Sequence, residues 1–257
     1  MEAAYVEIGI VHEIAYISPV FIMVLGIIGL GSSVAKDIEA RKSYVLKCKF
    51  EIEKKKSESL LSNILPQKIV ESFNNGDRKT AESHDSVSIL FADIVGFTKI
   101  SSEKPVDEVV EILDNIFSRF DDLCLKMNVE KIKTIGDAYM AAAGLIIDDD
   151  SHCRNIVNLG LEMQSALEEL KVLHNIDVSM RIGIATGHVV AGIIGKTKFC
   201  YDVWGQTVNT ASRLESQSEP GKMLVCGETL ARLDSKYLRV EERIEVLKGV
   251  GAVKCGY

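Results

Sequence analysis

Two aspartates stand where short apolar runs meet small turns. Asp93 closes SVSILFADI, and Asp137 sits in KTIGDAYM. The first run reads as a strand, and EKIKTIGDAYMAAAG reads as a strand, a Gly-Asp turn and a second strand. With strands one and three as antiparallel neighbours, the end of one lies beside the start of the other. Both carboxylates then reach the same sheet edge, close enough to share hard cations such as Mg²⁺. Aspartates also satisfy turns, so the pair alone leaves both readings open. Gly96 follows Asp93 by three residues. A glycine between strand and helix lets backbone N–H groups approach phosphate oxygens, although a plain turn asks for the same residue. GIIGKT, ending at Thr197, resembles the end of a P-loop, but Val190 stands where that loop needs glycine. It reads as a strand end and turn.

The elements that must position these residues follow from periodicity. Residues 107–125 repeat apolar positions at Val109, Leu113, Ile116, Phe120 and Leu123, an amphipathic helix. Residues 151–172 predict another helix. VSMRIGIATGHVVAGIIG predicts a second hairpin turning at Thr186-Gly187, TVNTASRLESQ a helix, and 222–226, 238–247 and 252–257 short strands. The order is β-α-β-β-α-β with additions, an α+β ferredoxin-like core. The chain stops at Tyr257 inside the last expected strand, which predicts further residues beyond it.

The chain has 257 residues, 47% hydrophobic and 26% charged, enough for one sizeable domain plus an appendage. A net charge of −7 argues against a reader of nucleic acid through a basic face. Six cysteines without a CxxC pair read as reduced cytosolic thiols.

Residues 14–35 carry no charge. As a helix they rise roughly 33 Å, enough to cross a hydrocarbon core of about 30 Å. Pro19 and three glycines suit a membrane helix better than a soluble one. Ser33-Val34-Ala35 resembles a signal-peptide cleavage site, but Glu2, Glu7 and Glu13 precede the run without any Lys or Arg. A buried core helix is the third reading. Lys36, Arg41, Lys42, Lys47, Lys49 and Lys54 to Lys56 follow the run, which orients all that comes after it to the cytoplasm. The expectation is a single-pass membrane protein: a short segment 1–13, a span 14–35, a helical or coiled-coil stalk 36–73 that Pro66 ends or kinks, a polar linker 74–86 and a main domain 87–257. Leu46, Phe50, Leu60 and Ile64 fall at heptad-compatible spacing, but Glu53 and Ser57 interrupt them. Thirteen residues before the span are too few for a ligand-binding domain.

FADIVGFT, KIKTIGDAYMAAAG, RIGIATGHVVAGIIG and YDVWGQTVNTASRLES, in this order, resemble the motifs of the class III nucleotidyl cyclases, and LLSNILP resembles the helix preceding the domain in membrane cyclases. The resemblance runs from about Leu60 to the C-terminus. It implies a catalytic domain that works as a homodimer with sites shared across the interface. It implies that Asp93 and Asp137, with the Ile94 backbone carbonyl, hold two Mg²⁺ or Mn²⁺ ions, and that Gly96, Phe97 and Thr98 border the substrate. A second copy would supply Lys133 and Asp202 to read the base, with Asn209 and Arg213 as catalytic groups. Lys248, in VLKGVG, matches a triphosphate lysine; Arg181, in MRIG, adds a phosphate contact or is a solvated strand-edge arginine. All these residue types stand in one chain, which predicts a homodimer with two complete sites.

Base choice follows from hydrogen bonding. Adenine offers an acceptor at N1 and a donor at its 6-amino group, which a Lys donor and an Asp acceptor complement. Guanine offers an acceptor at O6 and donors at N1 and N2, and guanylyl cyclases of the family carry Glu and Cys at the two positions. Lys133 and Asp202 therefore predict an adenylyl cyclase making 3′,5′-cyclic AMP and pyrophosphate from ATP. The alternatives are a guanylyl cyclase, or a non-catalytic nucleotide-binding membrane protein, expected to lack a metal aspartate or the Asn209/Arg213 pair. Histidines 12, 84, 152, 174 and 188 fall outside the motifs and read as structural or surface residues.

Overall fold

The computed structural model describes residues 2–62, 81–145, 151–195, 197, 199–233 and 241–257. The chain divides into two units, Met1–Asn63 and Ile64–Tyr257.

The first unit is one helix, α1 (Glu2–Ser62). Pro19 does not interrupt it. From Phe21 to Ser57 it is long and apolar enough to cross a membrane. Phe21, Ile22, Met23, Ile27, Ile28 and Leu30 are all exposed. The expected break at Pro66, heptad position Ile64 and linker residues 74–80 lie outside the described residues.

The second unit is a mixed sheet with helices on both faces. In chain order its elements are β1 (Ala81–Val95), α2 (Phe97–Glu103), α3 (Val106–Lys126), β2 (Glu130–Ile135), β3 (Ala138–Ala143), α4 (His152–His174), β4 (Ser179–Ile194), β5 (Cys200–Trp204), α5 (Gln206–Gln217), β6 (Met223–Cys226), α6 (Gly227–Leu230), β7 (Glu242–Leu247) and β8 (Gly251–Gly256). The strands run β2-β3-β1-β4-β6-β8-β7, with β5 on β4. The first four, β2-β3-β1-β4, are antiparallel throughout and reproduce the expected ferredoxin-like order.

The two sheet faces follow from strand alternation. Leu90, Ala92, Ile94, Ile182 and Ile184 face α3 and α4, which bury Ile112, Ile116, Phe120, Ile156, Leu159 and Met163 against them. Ile89, Phe91, Ala185 and Val189 point the other way, toward Ala211 and Leu214 of α5. Helix α5 lies almost on the backbone of β4. A Cβ on Gly183 would come within 2.1 Å of the Glu215 N and 2.3 Å of the Ala211 O, so only glycine fits there.

Two expectations are corrected. No hairpin turns at Thr186-Gly187: β4 runs unbroken for 16 residues, and Gly187 pairs with Val87 within the ladder. Its glycine serves packing, since a Cβ there would meet Thr207 Oγ1 at 2.8 Å. Thr186 is buried, within hydrogen-bond reach of Ser88 and Thr229. Nor is 81–86 linker: β1 begins at Ala81 and pairs with β4 through an irregularity between His84 and Val87. Its polar outer half alternates exposed with half-buried positions, so it lacks the apolar run that marks a strand in sequence.

Candidate active site at the β1–β3 edge and the outer face of α5

Asp93 pairs with Ala138 as the last rung of the β1–β3 ladder, so Asp137 enters β3 beside it. The turn between β2 and β3 is Gly136-Asp137, closed by the Ile135–Ala138 pair, with Gly136 at φ +64° as such a tight hairpin asks of its first residue. Burial pushes the Asp137 carboxyl up first; the Asp93 charge adds to this and Arg181 opposes it. Both aspartates are half-buried. Beyond Asp93 the β1–β3 ladder stops, and Ile94 and Val95 are paired on the β4 side alone.

The chain then turns at Gly96 (φ +91°), where a Cβ would lie 3.0 Å from the Asp177 carbonyl. The first turn of α2 receives no side-chain cap. Phe97 packs against the core, while Thr98 is exposed.

Arg181 is the cross-strand partner of Asp93, so both project to the α5 face. Its Nη2 donates to Asp93 Oδ2 at 2.6 Å and lies 3.2 Å from Glu215 Oε1. It is therefore no solvated strand-edge arginine. Glu215 was not singled out in the sequence. Its signal was there: Thr207, Ala211 and Leu214 lie on the buried stripe of α5, and Glu215 falls on it, where a carboxylate needs a partner. Burial pushes the Glu215 carboxyl up, opposed by Arg181.

Lys133 and Asp202 also meet. Lys133 Nζ lies 2.5 Å from Asp202 Oδ2, joining β2 to β5, and Asp202 Oδ1 accepts from the Val203 N–H at 2.9 Å. Asp202 is buried and Lys133 half-exposed. The ladder between β2 and β3 shifts register between Lys131 and Lys133. Residues i and i+2 of a regular strand share a face, but this shift separates the two lysines. Lys131 opposes Ala141 on the α3 side and pairs with Asp121 at 2.7 Å; Lys133 opposes Met140 on the α5 side.

Asn209 and Arg213 stand one turn apart on α5, exposed, and their side chains make no ion pair or hydrogen bond among the described residues. The stripe on the sheet is Thr207, Thr210, Ala211, Leu214 and Glu215, so Asn209 and Arg213 point away from it. Lys248 is exposed at the tip of the β7–β8 hairpin. A cavity of about 780 Å³ separates this hairpin from α5, with Gln206 and Thr210 on one side and Val250 and Lys254 on the other. Within one chain, then, Asp93, Asp137, Arg181 and Glu215 converge, and Lys133 joins Asp202. Asn209, Arg213 and Lys248 join neither group.

Among the described residues no three His, Cys, Asp or Glu side chains form a cation site. Two carboxylates still fit Mg²⁺, which is commonly held by one or two carboxylates together with substrate phosphates.

Residues 79–256 match the family model described as the adenylate and guanylate cyclase catalytic domain. An adenylate cyclase of Mycobacterium tuberculosis is 38% identical over 80% of this chain and 47% of its own length. Retinal guanylyl cyclase 2 of Rattus norvegicus is 42% identical over 78% of this chain and 19% of its own. The chain thus spans about half the length of the mycobacterial relative and less of the rat one. Among solved structures, the catalytic core of a rhodopsin-guanylyl cyclase with converted specificity, in complex with ATPαS, superposes with a TM-score of 0.65. It is 30% identical over 69% of this chain and 97% of that one.

Proposed function

The chain belongs to the adenylate and guanylate cyclase catalytic domain family, and on that premise we propose that it is an adenylyl cyclase, converting ATP to 3′,5′-cyclic AMP and pyrophosphate. The observation that carries the choice of base is the Lys133–Asp202 pair. It presents an ammonium donor and a carboxylate acceptor side by side, the complement of adenine's N1 and 6-amino group. Overall identity does not decide the matter, since relatives of both specificities are similarly close.

The reaction is intramolecular: the ribose 3′-oxygen attacks the α-phosphorus, the α–β bridging oxygen leaves with pyrophosphate, and the hydroxyl proton is lost. Divalent cations on Asp93, Asp137 and the Ile94 carbonyl would supply the charge that acidifies the hydroxyl and screens the triphosphate. The uncapped amides at Phe97 and Thr98, beside Gly96, offer donors to phosphate oxygens. Arg181 adds a guanidinium at the same edge. Arg213 stabilises charge growing on the α-phosphoryl oxygens, Asn209 orients the ribose, and Lys248 holds the triphosphate. No protein nucleophile is required.

Because Asn209 and Arg213 face away from the Asp93 edge of their own chain, the reading pairs the aspartate edge of one copy with the α5 face of a second. The homodimer then holds two equivalent sites. The apolar part of α1 is read as a single membrane span, and the basic residues after it support a cytoplasmic catalytic domain. The test is direct. The purified chain is given ATP or GTP with Mg²⁺ or Mn²⁺, and the cyclic product is identified. Cyclic AMP from ATP is expected; cyclic GMP as the main product, or no cyclisation of either nucleotide, overturns the proposal.

A further inference from the structure

Arg181 is held by two carboxylates, and unequally. Its bond to Asp93 is aligned; the 3.2 Å contact with Glu215 is an ion pair without hydrogen-bond alignment. Arg181 Nε and Glu215 Oε1 are both buried and both lack a hydrogen-bond partner. A donor and an acceptor are thus left unmade on two side chains already in contact, which is costly for buried groups. The guanidinium is a planar fork whose Nε–H and Nη–H can bond one carboxylate side-on. Turning the head of Arg181 off Asp93 and onto Glu215 satisfies both orphaned atoms. Glu215 is the fixed member of the pair. It is 9% exposed, and the α5 backbone carrying it rests on Gly183, with no room for even a methyl group between them.

We infer that Glu215 is a positioning residue: it takes over the Arg181 guanidinium when Asp93 turns its carboxylate to a divalent cation, and so keeps the arginine in the site facing the triphosphate. This rests on the cyclase reading above. Without Glu215, Arg181 released from Asp93 is left, among the described carboxylates acting on it, with Asp137, itself a cation-binding candidate. Arginine and cation then compete for the same carboxylates.

The experiment measures binding rather than turnover, on the full chain. Mn²⁺ affinity is read without nucleotide from the electron paramagnetic resonance of free Mn²⁺. Affinity for 3′-deoxy-ATP, which cannot cyclise, is read by calorimetry at saturating Mn²⁺. Glu215→Gln keeps the side chain's size and removes its charge; it should weaken both affinities about tenfold, the scale of one lost charge-assisted bond. Glu215→Asp should recover part of each. Adding Arg181→Ala to Glu215→Gln should restore Mn²⁺ affinity, because the competing cation is gone. Unchanged Mn²⁺ affinity in Glu215→Gln with a wild-type melting temperature overturns the inference. So does a loss that persists when Arg181 is also removed. Should Glu215→Gln fail to fold, Glu215→Asp decides: intermediate Mn²⁺ affinity supports the inference and wild-type affinity overturns it. The underlying reading fails separately, and the inference with it, if the wild-type chain binds 3′-deoxy-ATP no more tightly with Mn²⁺ than without.

Discussion

The β1–β3 edge and the outer face of α5 lie in the same domain but are finished to different degrees. At the edge, ladder register alone sets Asp93 beside Asp137 and opposite Arg181, and Glu215 closes the cluster from above. Asp93 and Glu215 both pair with Arg181 within the chain, and Asp137 lies in the field of the same guanidinium. On α5, Asn209 and Arg213 project from the helix with no partner among the described residues. A charged side chain ordered on a helix face but bonded to nothing is an ordinary surface feature by itself. Set beside the carboxylate cluster of the same domain, it is what the proposed homodimer calls for: one half of a site that a second copy would complete.

The largest effect should come from breaking the finished half. Asp93→Ala or Asp137→Ala should lower kcat by at least about a thousandfold, more than loss of a single oxyanion donor, with the circular dichroism spectrum unchanged. Full activity in either variant refutes the cation reading of this edge.

The Lys133–Asp202 pair tests the recognition of the base apart from the chemistry. Lys133→Glu combined with Asp202→Cys replaces the donor with an acceptor and removes the carboxylate. Each mismatched buried polar group costs roughly 1–3 kcal/mol, so the ratio of kcat/KM for ATP over GTP should fall by roughly two to four orders of magnitude. An unchanged ratio in an active variant shows that these residues do not read the base.

Mixing sharpens the comparison itself. Asp93→Ala and Arg213→Ala chains should each be inactive alone. Combined in equal amounts they should recover about a quarter of wild-type activity, because half the dimers are mixed and each mixed dimer keeps one intact site. Failure to recover, with mixed dimers demonstrated by cross-linking, places the whole site within one chain.

The smallest effect concerns how the halves are brought together. Removing residues 1–60 deletes nearly all of α1, and the specific activity of the remainder should then rise steeply with protein concentration as dimers form by mass action. Activity that stays flat into the nanomolar range shows that the catalytic domains associate without the helix.

Much of this was legible in the chain. FADIVGFT and KTIGDAYM carry an apolar strand with an acidic end and a strand–turn–strand, and antiparallel pairing leaves little choice but to set Asp93 near Asp137. The helices expected at 107–125 and 151–172 differ from α3 and α4 by two residues or fewer at each end, because their apolar repeat is strong. The unbroken β4 was not legible. Thr-Gly between two apolar runs is written the same way for a turn and for a glycine that admits a helix, and only Thr207 standing over Gly187 tells them apart.

Local sequence thus determined which residues are candidates for chemistry and which sheet edge the two aspartates share, since alternation and antiparallel register propagate along a strand without outside help. Tertiary structure decided what those residues face. Lys131 and Lys133 are two apart and predict one face, yet a single shift of register sends one to Asp121 and the other to Asp202. Glu215 became part of the site because α5 lies within backbone contact of Gly183, which drives its carboxylate against Arg181. Such contacts depend on side chains distant in the chain meeting across a packed interface, and no periodicity within either segment encodes them.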